Sequence, residues 1–253
     1  MNQFNSRQLL EELRKISGET GVKTRVYMIG GCSMSLRGLK PSTKDVDLIF
    51  TGRGELNAFA RALEKLGYEK VMESTAEYEK LEAQVIYRKR ESAGFDLFLN
   101  KVCGGLVLSA EMKKRAVKFG EFGNVEVLLC SEEDVFVFKS ITERPRDVDD
   151  MAALIKAKRD SFDWEAVKKE ITEQASRYPN LPTLAFNKLI DLQEKHEITV
   201  PVFSWLKKKS EEQILRLEFK NRVEAGMTRQ EAFESLAKHG FSKKQLEKII
   251  EGN

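Results

Sequence analysis

Strand chemistry in this sequence stops at residue 130. Up to that point short β-rich runs recur: TRVYMI over 24–29, DVDLIF over 45–50, AQVIYRKR over 83–90, GFDLFLN over 94–100, AVKFGEF over 116–122 and NVEVLLC over 124–130. Alternation of apolar and polar residues marks a strand with one buried face. From Ser131 onward the apolar residues take helical spacing almost to the end, as in DVFVFKSIT and DVDDMAALIKAK. The chain is therefore expected to be an α/β (α+β) part with a mixed sheet, residues 1–130, followed by a helical part, residues 131–253. SRYPNLP over 176–182 and ITVPVF over 198–203 read as later joints.

Helices interrupt the strands. SRQLLEELRKISGET carries Leu9, Leu10, Leu13 and Ile16 on one stripe with Ser6 available as its cap, and ELNAFARALEKLGY runs through Leu56, Phe59, Ala60, Leu63 and Leu66 to a stop at Gly67. Gly94 and FGN over 122–124 mark turns, and Ser131 with Asp134 forms a helix-start pattern. The tail, residues 228–251, reads as two short helices capped by Thr228 and Ser242 around a turn at His239-Gly240. It resembles a helix-turn-helix or a small interaction module, with no base-reading set of residues.

Composition excludes several classes. The longest apolar runs fall far short of the roughly 20 residues that cross a bilayer, and the first residues lack the apolar stretch of a signal peptide. A cytoplasmic protein with no membrane partner is expected. Three widely spaced cysteines, Cys32, Cys103 and Cys130, fit reduced thiols, and only two histidines, His196 and His239, argue against a His-based metal site. The net charge of +3 does not by itself announce a nucleic-acid partner.

The stretch GGCSMSLRGLKPSTKDVDLIF, residues 30–50, carries the chemistry. Asp45 and Asp47, two apart on a strand, project to one face roughly 6.5–7 Å apart along the chain. A hard divalent cation such as Mg²⁺ relieves their repulsion. Asp96, between Phe95 and Leu97, completes an acidic cluster if its strand is a neighbour. Gly30 and Gly31 allow a phosphate to approach the backbone, and Ser33 adds a hydroxyl. The other reading of the same residues is a tight turn, a strand-end cap and solvated edge carboxylates. Arg37, Lys40 and Lys44 either attract phosphates or form a solvated basic loop.

Gly30-Gly31, a helical turn with Ser33, Asp45-Val46-Asp47 and a later Asp96 together resemble the nucleotidyltransferase superfamily with the DNA polymerase beta-like fold. Lys139, Arg146, Asp147 and Asp150 in FKSITERPRDVDDMAALI look like a pattern in its abortive-infection toxin subgroup. The resemblance implies Asp45, Asp47 and Asp96 as catalytic metal ligands for Mg²⁺ or Mn²⁺, with Asp96 also a base. It implies Gly30, Gly31, Ser33, Lys139, Arg146 and Asp147 as nucleotide-binding residues. Expected partners are a nucleoside triphosphate as substrate, an RNA, protein or small-molecule acceptor, and an antitoxin. A nucleotide-binding module without turnover and an antibiotic-modifying enzyme are the competing readings.

Overall fold

The computed structural model of the chain describes residues 3–71, 85–102, 105–142, 144–238 and 246–247. Two compact units follow one another, Met1–Tyr178 and Pro179–Asn253. The first is built on a mixed sheet whose strands, with a separate short hairpin, are β1 (Thr24–Ile29), β2 (Asp45–Phe50), β3 (Glu69–Val71), β4 (Val85–Arg88), β5 (Gly94–Leu99), the hairpin β6 (Lys101–Val102) and β7 (Leu106–Val107), β8 (Val117–Phe122) and β9 (Val125–Leu129). The main sheet runs β3-β4-β5-β2-β1-β9-β8. β2 lies antiparallel to β1 and parallel to β5, while β1 and β9 are parallel.

The centre of the sheet is set by burial. β5 is buried at Gly94 to Phe98, and β2 buries Val46 and then Leu48, Ile49 and Phe50. Helix α1 (Ser6–Glu19) contributes Leu9, Leu13 and Ile16 to the same core, and helix α2 (Gly30–Leu36) joins β1 towards β2. Helix α3 (Arg53–Lys65) adds Leu56, Phe59, Ala60 and Leu63, and Phe59 meets Phe50 and Phe95 at ring centroid distances of 5.4 and 6.0 Å. Gly67, at φ +80, supplies the left-handed residue after α3. The cap of α1 is Asn5, where Ser6 was expected: Asn5 Oδ1 accepts from Gln8 N at 3.0 Å and Gln8 Oε1 accepts from Asn5 N at 3.0 Å. That reciprocal pair satisfies two end groups at once, which a serine one residue later does not.

The first compact unit continues past the composition change at residue 130. It holds α4 (Ala110–Arg115), α5 (Glu132–Lys139), α6 (Arg146–Lys158) and α7 (Trp164–Ala175). Ser131 caps α5, accepting from Asp134 N at 3.2 Å. α5 is buried on every side from Glu133 to Lys139, so it packs as a core helix and not as a surface helix with one apolar stripe. Arg115 ties three helices together by pairing with Asp134 at 2.6 Å and Glu170 at 2.8 Å. Phe136 meets Phe162 and Trp164 edge-on at 5.6 and 5.5 Å.

The second unit contains α8 (Leu181–His196), α9 (Phe203–Glu224) and α10 (Arg229–Lys238), with a small core of Leu215, Phe219, Ala232, Leu236 and Leu246. Thr228 caps α10, and Glu231 reciprocates by accepting from Thr228 N at 2.8 Å. The expected turn at His239-Gly240 and the cap at Ser242 lie outside the described residues. Among the described residues no helix is long and apolar enough to cross a membrane.

Candidate active site

β2 presents Asp45 and Asp47 on one face, while Val46 and Leu48 enter the core from the other. Its parallel register with β5 places Asp45 opposite Gly94 and Asp47 opposite Asp96. Three acidic residues thus occupy neighbouring positions on two adjacent strands. Cys32 lies beneath them, fully buried, with its thiol toward Ile29 O at 2.9 Å and its sulfur accepting from Asp47 N at 3.3 Å. Burial first, then the Asp47 charge, pushes the thiol well above its ordinary range, so Cys32 supports the position of Asp47 and is no nucleophile.

Gly30 is the other fixed point. Its φ is +66, and a Cβ there would overlap Asp47 Oδ2. Glycine is therefore required twice, once for the backbone angle and once for the space that the carboxylate occupies. Gly30→Ala is expected to cost about 1–2 kcal/mol for the left-handed angle alone and to displace Asp47. Thermal melts would show the first effect, and a transferase rate reduced further than the lost stability accounts for would show the second.

Gly30, Gly31, Asp45 and Asp47 open onto a cleft of about 220 Å³ whose far wall is basic. Lys139 forms that wall at the end of α5, its amine donating to Asp147 at 2.7 Å and Asp150 at 2.6 Å. Lys40 also donates to Asp150, at 2.8 Å, and Asp147 accepts from Thr142 and pairs with Arg144 at 3.4 Å. Burial alone would raise the Asp147 carboxyl, but Lys139 and Arg144 outweigh it and hold the group below its usual value. Arg146 is exposed at the start of α6 and lines the same cleft. Ser33 does not line it: the hydroxyl is buried and accepts from Arg37, which also donates to Cys130 O at 2.6 Å and pairs with Glu132 at 3.1 Å. Ser33 and Arg37 thus hold α2 against the start of α5.

The acidic side is short of compensating charge. Burial, then Asp96 and Asp45, raise the Asp47 carboxyl to about 7 against the opposing pull of Arg144 and Lys139. Asp96, also raised by burial first, is at about 6 although Arg88 lies beside it. An all-oxygen set with excess negative charge is what a hard divalent cation accepts, and in that chemical sense Asp45, Asp47 and Asp96 fit Mg²⁺. As they stand, no three acidic, histidine or cysteine side chains among the described residues converge into a metal cage. Instead the Arg88 guanidinium spans two of the carboxylates, 2.8 Å from Asp96 and 3.5 Å from Asp45.

Reading the sequence missed Arg88, Arg144 and the pairing of Lys40. A basic residue closing a strand run, as Arg88 closes VIYR, and the first arginine of RPRD were visible signals, but each acquires meaning only through residues distant in sequence. Residues 6–197 match a protein-family model described as a nucleotidyltransferase of unknown function (DUF6036), a span that takes in every site residue named above. No curated protein matches the chain.

Proposed function

The chain belongs to the nucleotidyltransferase family whose model it matches, and from that premise we propose that it is a cytoplasmic Mg²⁺-dependent enzyme transferring a nucleoside monophosphate from a nucleoside triphosphate to a hydroxyl. The observation that carries this reading is the register of β2 on β5, which sets Asp47 against Asp96 beside Asp45 and the Gly30-Gly31 turn.

In the proposed reaction the acceptor oxygen bonds to the α-phosphorus, the bond from that phosphorus to the bridging oxygen of pyrophosphate breaks, and the hydroxyl proton passes to a base. Asp45, Asp47 and Asp96 are the carboxylates that would hold the metal. The metal supplies charge neutralisation and Lewis-acid stabilisation of the phosphoryl oxygens. Gly30 and Gly31 leave the backbone open to the phosphates, and Lys40, Arg144 and Arg146 place positive charge along the cleft that receives them. Lys139, locked between Asp147 and Asp150, contributes a fixed charge to that wall. Asp96 is the carboxylate assigned to the hydroxyl proton. The likeness of Lys139, Arg146, Asp147 and Asp150 to the toxin subgroup favours RNA as acceptor, with an antitoxin as the protein partner.

Incubation with each α-labelled nucleoside triphosphate, Mg²⁺ and separate pools of transfer RNA, total protein and aminoglycosides tests the proposal. Label in one pool, absent with Asp45→Ala and Asp47→Ala, is the expected result. Absence of label and of pyrophosphate in every pool, with metal-dependent triphosphate binding intact, would replace the enzyme with a binding module.

A further inference from the structure

Arg88 ends β4 with its guanidinium inside the acidic set. Nη1 donates to Asp96 Oδ1 at 2.8 Å and to its neighbour Tyr87 O at 3.0 Å, and Nη2 lies 3.5 Å from Asp45 Oδ1. The Arg88 and Asp96 side chains are only 17% and 4% exposed, so this is no loose surface pair. Room for the guanidinium is built into the sheet: a Cβ on Gly94 would lie 2.5 Å from Nη1 and 2.8 Å from Cζ. Gly94 therefore keeps a position on β5 empty for the arginine of the adjacent strand.

Another carboxylate stands on the side of β3. Glu69 on β3 is the register partner of Arg88, and directly opposed residues of an antiparallel pair share a face. Glu69 and Arg88 both line a second cleft, of about 760 Å³, which meets the first at Lys44 and Asp45. Among the described residues, Arg88 thus stands between the carboxylates of the acidic set and the exposed Glu69 opposite it on β3.

We propose that Arg88 is a positioning residue that competes with a divalent cation for Asp45 and Asp96, neutralising them when metal is absent and withdrawing toward Glu69 when metal enters. The inference rests on the metal-dependent reading above. Two cations cannot share one pair of carboxylate oxygens without strong repulsion, and the longer Asp45 contact is the one that yields first. Glu69 stabilises the withdrawn state, so it favours metal binding from a position that touches neither metal nor nucleotide.

The test is Mn²⁺ binding to the full metal-free chain, followed by electron paramagnetic resonance of the free ion, with neither nucleotide nor acceptor present. Arg88→Gln is expected to tighten Mn²⁺ binding about tenfold, the factor carried by about 1.4 kcal/mol. Glu69→Gln is expected to weaken it, and the double variant to match Arg88→Gln, because Glu69 acts only through Arg88. Glu69 is exposed, so its variant carries the test even where Arg88→Gln fails to fold. Unchanged or weaker Mn²⁺ binding in folded Arg88→Gln overturns the proposal, as does a Glu69→Gln effect that persists in the double variant. Wild type and Arg88→Gln that both ignore Mn²⁺ would remove the metal-dependent reading itself. Normal wild-type binding unmoved by either variant would remove only the role of Arg88.

Discussion

Asp47→Asn is expected to abolish transfer while making the metal-free protein more stable. The carboxylate is the most crowded group of the site: burial, Asp96 and Asp45 together raise it to about 7. Loss of a carboxylate that holds the metal at the reacting phosphate should lower kcat/KM at least about a thousandfold, roughly 4 kcal/mol of transition-state stabilisation. The stability effect has the opposite sign. A carboxyl whose folded pKa stands above its ordinary value of 3.8 keeps its proton in the folded chain after the unfolded chain has lost it. Wild-type stability is then full below about 4, falls as pH rises toward 7, and levels off above. Asparagine carries no such penalty, so the variant's advantage should be greatest above pH 7 and shrink on acidification. Each kcal/mol relieved raises the melting temperature by about 2–4 °C in a domain of this size. Melts of both proteins at pH 5 and pH 8 in chelator measure it, and a variant less stable at pH 8 would show that the carboxylates are compensated in the metal-free state. Such a stability gain in the variant would be the trade-off expected of an active-site residue.

What the sequence made legible divides along the range of the interaction responsible. The placement of Asp45 and Asp47 on one face follows from the two-residue period of a strand, and Gly67 ending α3 from the left-handed angle it adopts; both are local. The opposition of Asp47 and Asp96 depends on which strands pair and in what register, a property of residues far apart in the chain that no periodicity carries. The same holds for Arg88, whose partners lie on β2 and β5, and for Ser33, which faced inward because Arg37 needed an acceptor while joining α2 to α5. The pieces β6, β7 and α4 escaped notice because two-residue strands and a six-residue helix are too short to show a period. Composition changes at residue 130, where strands give way to helices, yet the compact unit runs to Tyr178. Packing decided that limit: α5 is buried on all sides, and Arg115 of α4 binds Asp134 of α5 and Glu170 of α7.

Lys139→Met should produce the largest loss of stability, about 3–5 kcal/mol, the usual consequence of removing one partner from a buried ion pair. The lysine side chain is 8% exposed and holds two aspartates whose side chains are 3% and 10% exposed. Its removal leaves Asp147 to Thr142 and Arg144, and Asp150 to Lys40, which is itself partly solvated. Urea denaturation at pH 7 measures the loss, and Asp150→Asn in the Lys139→Met background is expected to recover part of it by deleting the stranded charge. Acid narrows the gap as well. Asp147 is held below its ordinary value of 3.8, so the stability it contributes is present above that pH and lost as pH falls through the lower folded value. A variant within 1 kcal/mol of wild type, a bound taken from the ordinary range of exposed ion pairs, would mean that water reaches the aspartates. These contacts also limit what Lys139 does for a nucleotide. Its amine reaches a triphosphate only by giving up two short charged hydrogen bonds, whereas Arg144 and Arg146 stand nearer to solvent on the same cleft. Below its melting temperature, Lys139→Met should therefore change KM for the nucleotide less than Arg144→Met does, the mark of a charge that shapes the wall without leaving it.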